Sequence, residues 1–210
     1  MRILEPTTVI TDYILAVETL LLGILIFRNE AANAQLSARL WALALFTTAV
    51  AAAAGGTFHG FVQSLGPYAT TVWKVTVYAI GLTSLLMLSA TVLACSCGVA
   101  RPILLAAAVL QFLVYTFWMA GHDDYKYVIY DYAPAMVVIL ILQIIAITRG
   151  DASSRWIIAG ILVSFVAAGV QQSGFSLHRN FNYNDLYHVI EMFAMYLLYR
   201  GGLLLKDFRI

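Results

Sequence analysis

The chain has 210 residues, 62% of them hydrophobic and only 11% charged, with a formal net charge of +1. An average soluble domain carries roughly 25% charged residues, so the composition excludes an ordinary soluble enzyme and a disordered protein. The near-neutral balance leaves no basic face for a nucleic acid, and an integral membrane protein remains.

A membrane-crossing helix needs about 20 mostly apolar residues. Seven stretches qualify, at about 8–27, 39–63, 70–94, 102–120, 129–148, 155–173 and 184–205. They predict an all-α, seven-transmembrane helix bundle forming a single domain. The breaks between them are short and carry helix-ending or polar residues, such as Gly66-Pro67 and Arg149-Gly150-Asp151. The first span is too long, and lacks the small-residue cleavage site, to be a removable signal peptide. It carries Asp12 and, near its middle, Glu18. The second contains the run Ala51 to Ala54, which reads as close helix packing, and ends at His59. Cys95 and Cys97 close the third. They fall on the side expected to be reducing, so no disulfide is predicted, and palmitoylation is the weaker alternative. Gly121-His122-Asp123-Asp124 follows the fourth; Gly121 is a natural helix stop. His178 precedes the seventh span, whose first two turns carry Asn184, Asp185, Tyr187, His188 and Glu191.

Orientation follows the Lys/Arg count of alternate loops. Arg28, Arg39, Arg101, Arg149, Arg155, Arg200, Lys206 and Arg209 fall on one side, and Arg2, Lys74, Lys126 and Arg179 on the other. Eight against four places the C-terminus in the cytoplasm and the N-terminus outside. The four histidines all sort to the outer side. So do most acids: Glu5, Asp12, Glu18, Asp123, Asp124, Asp131, Asp185 and Glu191, against Glu30, Asp151 and Asp207.

Ionisable residues within a span cost about 2.5–3.5 kcal/mol on insertion scales and are usually functional or paired. Asn184, His188 and Glu191 recur at i, i+4 and i+7, one stripe along the seventh helix. Asn184 is also a candidate helix cap, with Asp185 in the first turn suiting the macrodipole. His59 ends the second span on the same side. Two imidazoles from different helices with a carboxylate suit Zn²⁺ in a half-dry pocket. Tyr68, Trp73, Trp118, Tyr125, Tyr127, Tyr130, Tyr132, Tyr183 and Tyr187 gather near the outer boundary. An interfacial aromatic belt accounts for them, and some are candidates for the wall of a headgroup pocket.

This pattern resembles the CREST superfamily of seven-span proteins, which includes alkaline ceramidases and progestin/adiponectin-type receptors. Its members carry a His near the end of span two, four residues after a Ser, an Asp in or near span three, and a His-x-x-aromatic-His motif opening span seven. Here His59, Tyr187 and His188 match, Asn184 stands for the first His of the motif, Gly55 stands for the Ser, and no Asp precedes Lys74. The resemblance implies a zinc ion held by His59 and His188 with Asn184 or a carboxylate. Glu18 or Asp12 would orient the ligands or act as general base. His178, His122, Asp185, Glu191 and Tyr187 would form the edge of the site. The implied function is metal-dependent hydrolysis of an amide or ester bond in a membrane lipid. The alternatives are a non-catalytic seven-span protein that binds a lipid or small ligand in the same pocket and, further off, a transporter using Glu18 and Glu191 as proton-linked acids. A retinal protein is disfavoured, because the only Lys near the seventh span is Lys206, at its cytoplasmic end. No soluble partner is implied.

Overall fold

The computed structural model describes residues 3–208. Arg2 and Arg209, counted above for sidedness, lie outside the described residues. Within them the chain is helical throughout: α1 (Pro6–Arg28), α2 (Glu30–Asn33), α3 (Leu36–Leu65), α4 (Ala69–Cys95), α5 (Ala100–Ala120), α6 (Lys126–Ile147), α7 (Ser154–Ser173) and α8 (Tyr183–Gly202), with a 3₁₀ turn at Gly66–Tyr68. All but the one-turn α2 are long, and each long helix lies within a few residues of an expected span. Five stretches are long and apolar enough to cross a membrane: Pro6–Arg28, Leu36–Cys95, Ala100–Ala120, Lys126–Ile147 and Ser154–Ser173. The second of these is the α3–α4 hairpin, folded at Gly66-Pro67, where Gly66 takes φ +53°. Helix α8 falls outside that group because its first turns carry Asn184, Asp185, His188 and Glu191.

Helix neighbours run α1–α3–α4–α6–α7–α8 and back to α1, while α5 packs mainly on the outside of α4. Six long helices therefore form a ring with α5 beside it. The outer face of α5 is apolar, with Leu110, Leu113, Val114 and Phe117 all exposed, as a lipid-facing surface requires. The opposite end from the polar stripe is built from buried apolar groups, including Ile26, Trp41, Leu45, Ile157 and Leu198. There the Trp41 indole donates to Leu198 O at 3.0 Å. Asp207, expected among the cytoplasmic acids, caps α3 by accepting from Leu36 N and Ser37 N at 2.9 and 2.8 Å. Cys95 and Cys97 are both free.

The expected cap of the last helix is corrected by two residues. Asn182, rather than Asn184, is the N-cap of α8, and its side chain accepts from Asn184 N and Asp185 N. Asp185 reaches back to Asn182 N at 2.7 Å and completes a capping box. An acceptor three residues into the helix can satisfy the cap's own amide, which is what Asp185 does.

A candidate ligand cavity at the α1–α8 contact

The polar residues of α1 lie on one face. Thr8, Thr11 and Asp12 recur at i, i+3 and i+4 and are all buried, so they meet α8 as one patch. Helix α8 answers with Asp185, His188 and Glu191 at i, i+3 and i+6, also buried. The Thr8 hydroxyl donates to Asp185 Oδ1 at 2.9 Å. With its backbone bond to Asn182, Asp185 is therefore occupied in holding the two helix ends together.

His188 is held at both ring nitrogens. The Thr11 hydroxyl donates to Thr8 O at 3.0 Å, and Nδ1 of His188 lies 2.9 Å from that same hydroxyl. A hydroxyl has one proton to give, so Nδ1 is the donor to Thr11. Nε2 then faces Asp12 Oδ1 at 3.2 Å, and one proton lies between them whichever atom carries it. Both side chains are withdrawn from solvent, 9% exposed for His188 and 6% for Asp12. The second carboxyl oxygen, Asp12 Oδ2, is buried with no hydrogen-bond partner. A buried acceptor left unpaired costs about 1–3 kcal/mol.

Gly56 of α3 lets Asp12 sit this deep. A Cβ at Gly56 would lie 2.7 Å from Asp12 Cβ, whereas one at Gly55 would lie 3.7 Å from Thr76 Cγ2 and 3.8 Å from Asp12 Oδ1. Gly56→Ala is therefore expected to push α1 off α3 and cost about 1–3 kcal/mol, while Gly55→Ala is accommodated. Paired melting curves in detergent check this; equal melting points for the two variants would contradict the close approach.

Beside this patch the ring of helices encloses a cavity of about 400 Å³, within the roughly 300–1,000 Å³ of small-molecule sites. Asp12, His59, His188, Glu191, Asn184 and Tyr187 line it. Ser164 on α7 donates to Glu191 Oε1 at 3.0 Å, and Gln171 donates to Asn184 Oδ1 at 3.4 Å. The small residues Ala51, Ala52, Ala133 and Ala168 form part of the wall. The alanine run, expected to pack helices closely, thus also leaves space. Aromatic walls come from Trp73, Tyr125, Tyr132, Tyr183 and Tyr187, all from the group read as a belt. Burial pushes the Tyr125 phenol up to about 12, so it remains a neutral donor.

The other candidate residues lie elsewhere. His59 lines the cavity but turns Nδ1 to Glu5 at 3.6 Å. Glu18 is half-buried on α1 outside the cavity lining, and its Oε2 has no hydrogen-bond partner. His122 stacks on Trp118 with ring centroids 4.1 Å apart, and its Nδ1 lies 2.8 Å from Trp118 O. The neighbouring acids engage lysines: Asp123 pairs with Lys74 at 2.7 Å and Asp124 with Lys126 at 2.8 Å. The Lys126 hydrogen bond holds the Asp124 carboxyl below its ordinary value. His178 is exposed in the α7–α8 loop, where it bridges to Phe181 and accepts from Asn180 N at 3.2 Å. Among the described residues no group of three or more His, Cys, Asp or Glu side chains is arranged to hold a metal ion.

Thr8, Thr11, Ser164, Gln171 and Gln172 were not singled out in the sequence. A signal existed for the threonines: Thr8, Thr11, Asp12, Leu15 and Thr19 trace one helical face, and all are buried. No comparable pattern marks Ser164, which lies alone among apolar residues.

No curated protein and no solved structure matches the chain. One family match covers residues 7–207, nearly the whole chain and every helix that lines the cavity. The chain belongs to that family, DUF6962, a family of unknown function.

Proposed function

We propose that this protein binds a small, mostly apolar ligand within the membrane, in the cavity between its helices, with Asp12 as the polar anchor. One observation carries the reading: a cavity of about 400 Å³ whose lining includes Asp12, a buried carboxyl group with one oxygen, Oδ2, lacking a hydrogen-bond partner. Folding isolates that oxygen at a cost, and a ligand donor relieves it. In this reading all seven long helices cross the membrane, α8 included, because its polar residues face the ring interior rather than lipid. The polar end of the cavity lies towards the outside and the C-terminus towards the cytoplasm. An epitope inserted in the loop at 174–182 is then stained on intact cells, and one at 148–153 only after permeabilisation; the reverse pattern overturns the orientation.

The binding test uses purified protein in lipid nanodiscs, titrated with 2-(1-naphthyl)ethanol and 2-(1-naphthyl)ethylamine and read by naphthalene fluorescence. Saturable binding of at least one probe above empty nanodiscs is expected. Ala133→Trp and Ala168→Trp, on the neighbouring walls formed by α6 and α7, should each weaken it at least tenfold without lowering the melting point. Binding unchanged by both fillings rejects the cavity as the site.

Metal-dependent lipid hydrolysis is the second reading, favoured by one distance. The 3.2 Å between His188 Nε2 and Asp12 Oδ1 also suits two ligands of one tetrahedral ion with bonds of about 2 Å, and His59 lines the same cavity. Zinc held there would supply Lewis-acid chemistry towards an amide or ester. Stoichiometric zinc in the purified protein, lost in His59→Ala and His188→Ala, with lipid amide or ester turnover lost in both, would support this reading. Metal-free protein that still binds the naphthyl probes would leave simple binding in its place.

A further inference from the structure

We infer that the cavity selects an organic cation: an apolar body carrying a protonated amine whose N–H donates to the carboxyl group of Asp12. The inference rests on the binding reading above and adds the charge class of the ligand. The titratable side chains lining the cavity are two carboxylates, Asp12 and Glu191, two imidazoles, His59 and His188, and tyrosines, with no Lys or Arg among them. Neither imidazole stands as a lone cation. Both nitrogens of His188 are engaged with Thr11 and Asp12, and Nδ1 of His59 faces the Glu5 carboxylate. Lys74, at the nearby end of α4, is committed to Asp123 and to the carbonyls of Met119 and His122.

An anionic head would therefore meet the Glu191 carboxyl and the net-neutral Asp12–His188 pair, with no Lys or Arg on the lining to answer it in a low-dielectric site. A neutral hydroxyl can donate to the Asp12 carboxyl but gains an ordinary hydrogen bond. A protonated amine gains a charge-assisted one, about twice as strong. The aromatic wall acts in the same direction: Trp73, Tyr125, Tyr132 and Tyr187 line the cavity, and an aromatic ring attracts a cation most when it is desolvated. Enclosure between the helices and the aromatic wall separate this site from a mere group of acids. Asp12 lines the cavity, with Oδ1 held by His188 and Oδ2 buried without a protein partner.

The test is a matched series on one skeleton, with the intact protein in nanodiscs at neutral pH: 2-(1-naphthyl)ethylamine, 2-(1-naphthyl)ethanol and 1-naphthylacetic acid. The amine should bind at least tenfold more tightly than the alcohol, and the acid should show no saturable binding above empty nanodiscs. Asp12→Asn should reduce the amine-to-alcohol ratio to within about threefold. Should that variant fail to fold, Glu191→Gln provides the second test, with a smaller reduction of the ratio expected because Glu191 already accepts from Ser164. The comparison in the unsubstituted protein needs no variant at all. Alcohol binding as tight as amine binding, or acid binding tightest, overturns the cation inference while leaving the cavity as a binding site. Binding of none of the three overturns both.

Discussion

His188→Ala lowers stability by about 3–5 kcal/mol, the range for removing one member of a buried ionisable pair. For a chain of this size that corresponds to a fall in melting point of roughly 6–20 °C. The substitution leaves both oxygens of Asp12 without a partner and removes the donor to Thr11. Thr11→Val removes only the neutral end of the same chain of bonds and should cost about 1–3 kcal/mol. Melting curves of the two variants in one detergent order them directly. A His188→Ala protein that melts within about 2 °C of the unsubstituted one, less than the smallest shift expected here, would show that Asp12 is solvated and that the pair is not buried as described.

The double variant Asp12→Leu/His188→Phe recovers most of that loss and still fails to bind. Replacing a buried ionic pair by apolar groups of similar size is often neutral or stabilising by about 1–4 kcal/mol. Thr11 retains its bond to Thr8 O, so no new orphan forms on α1. Leu and Asp are close in size, so Asp12→Leu adds little bulk beside Gly56. Each single substitution should therefore be less stable than the double, a coupling of at least about 1 kcal/mol in the cycle. Probe binding should be lost in all three. A double variant no more stable than Asp12→Leu alone would mean that the pair supports the fold, and the reason for assigning it a ligand would weaken. Retained binding in a stable double variant would remove Asp12 as the anchor.

The helices were legible because their limits are written in residues with strong local preferences. Gly66-Pro67 folds α3 back onto α4, and Gly174, at φ +67°, ends α7 where an L side chain would be strained. Length and apolarity fixed the rest. The arrangement of the helices was not legible. Nothing in the apolar sequence of 102–120 says that α5 stands outside the ring, since its lipid-facing and protein-facing surfaces are both hydrophobic.

The candidate site was legible by depth and side. Asp12, His59, His188 and Glu191 were singled out as ionisable residues towards one end of the bundle, and all line one cavity. Their partners were not. The contact of Asp12 with His188 joins the first helix to the last, and periodicity within a helix carries no information about which distant helix will face it. Asn184 and Asp185 show the limit from the other side. Both have the composition of a site, yet Asp185 is taken up by the capping box and Thr8, and Asn184 by Gln171.

The most direct measurement is an experimental structure of the protein in nanodiscs with a bromine-labelled 2-(1-naphthyl)ethylamine bound. The expected result is bromine density within the ring of α1, α3, α4, α6, α7 and α8, with the amine nitrogen within hydrogen-bond distance of the Asp12 carboxyl group. Bromine found only on the lipid-facing surface, with no density in the ring beside Asp12, would contradict the assignment of this cavity as the ligand site.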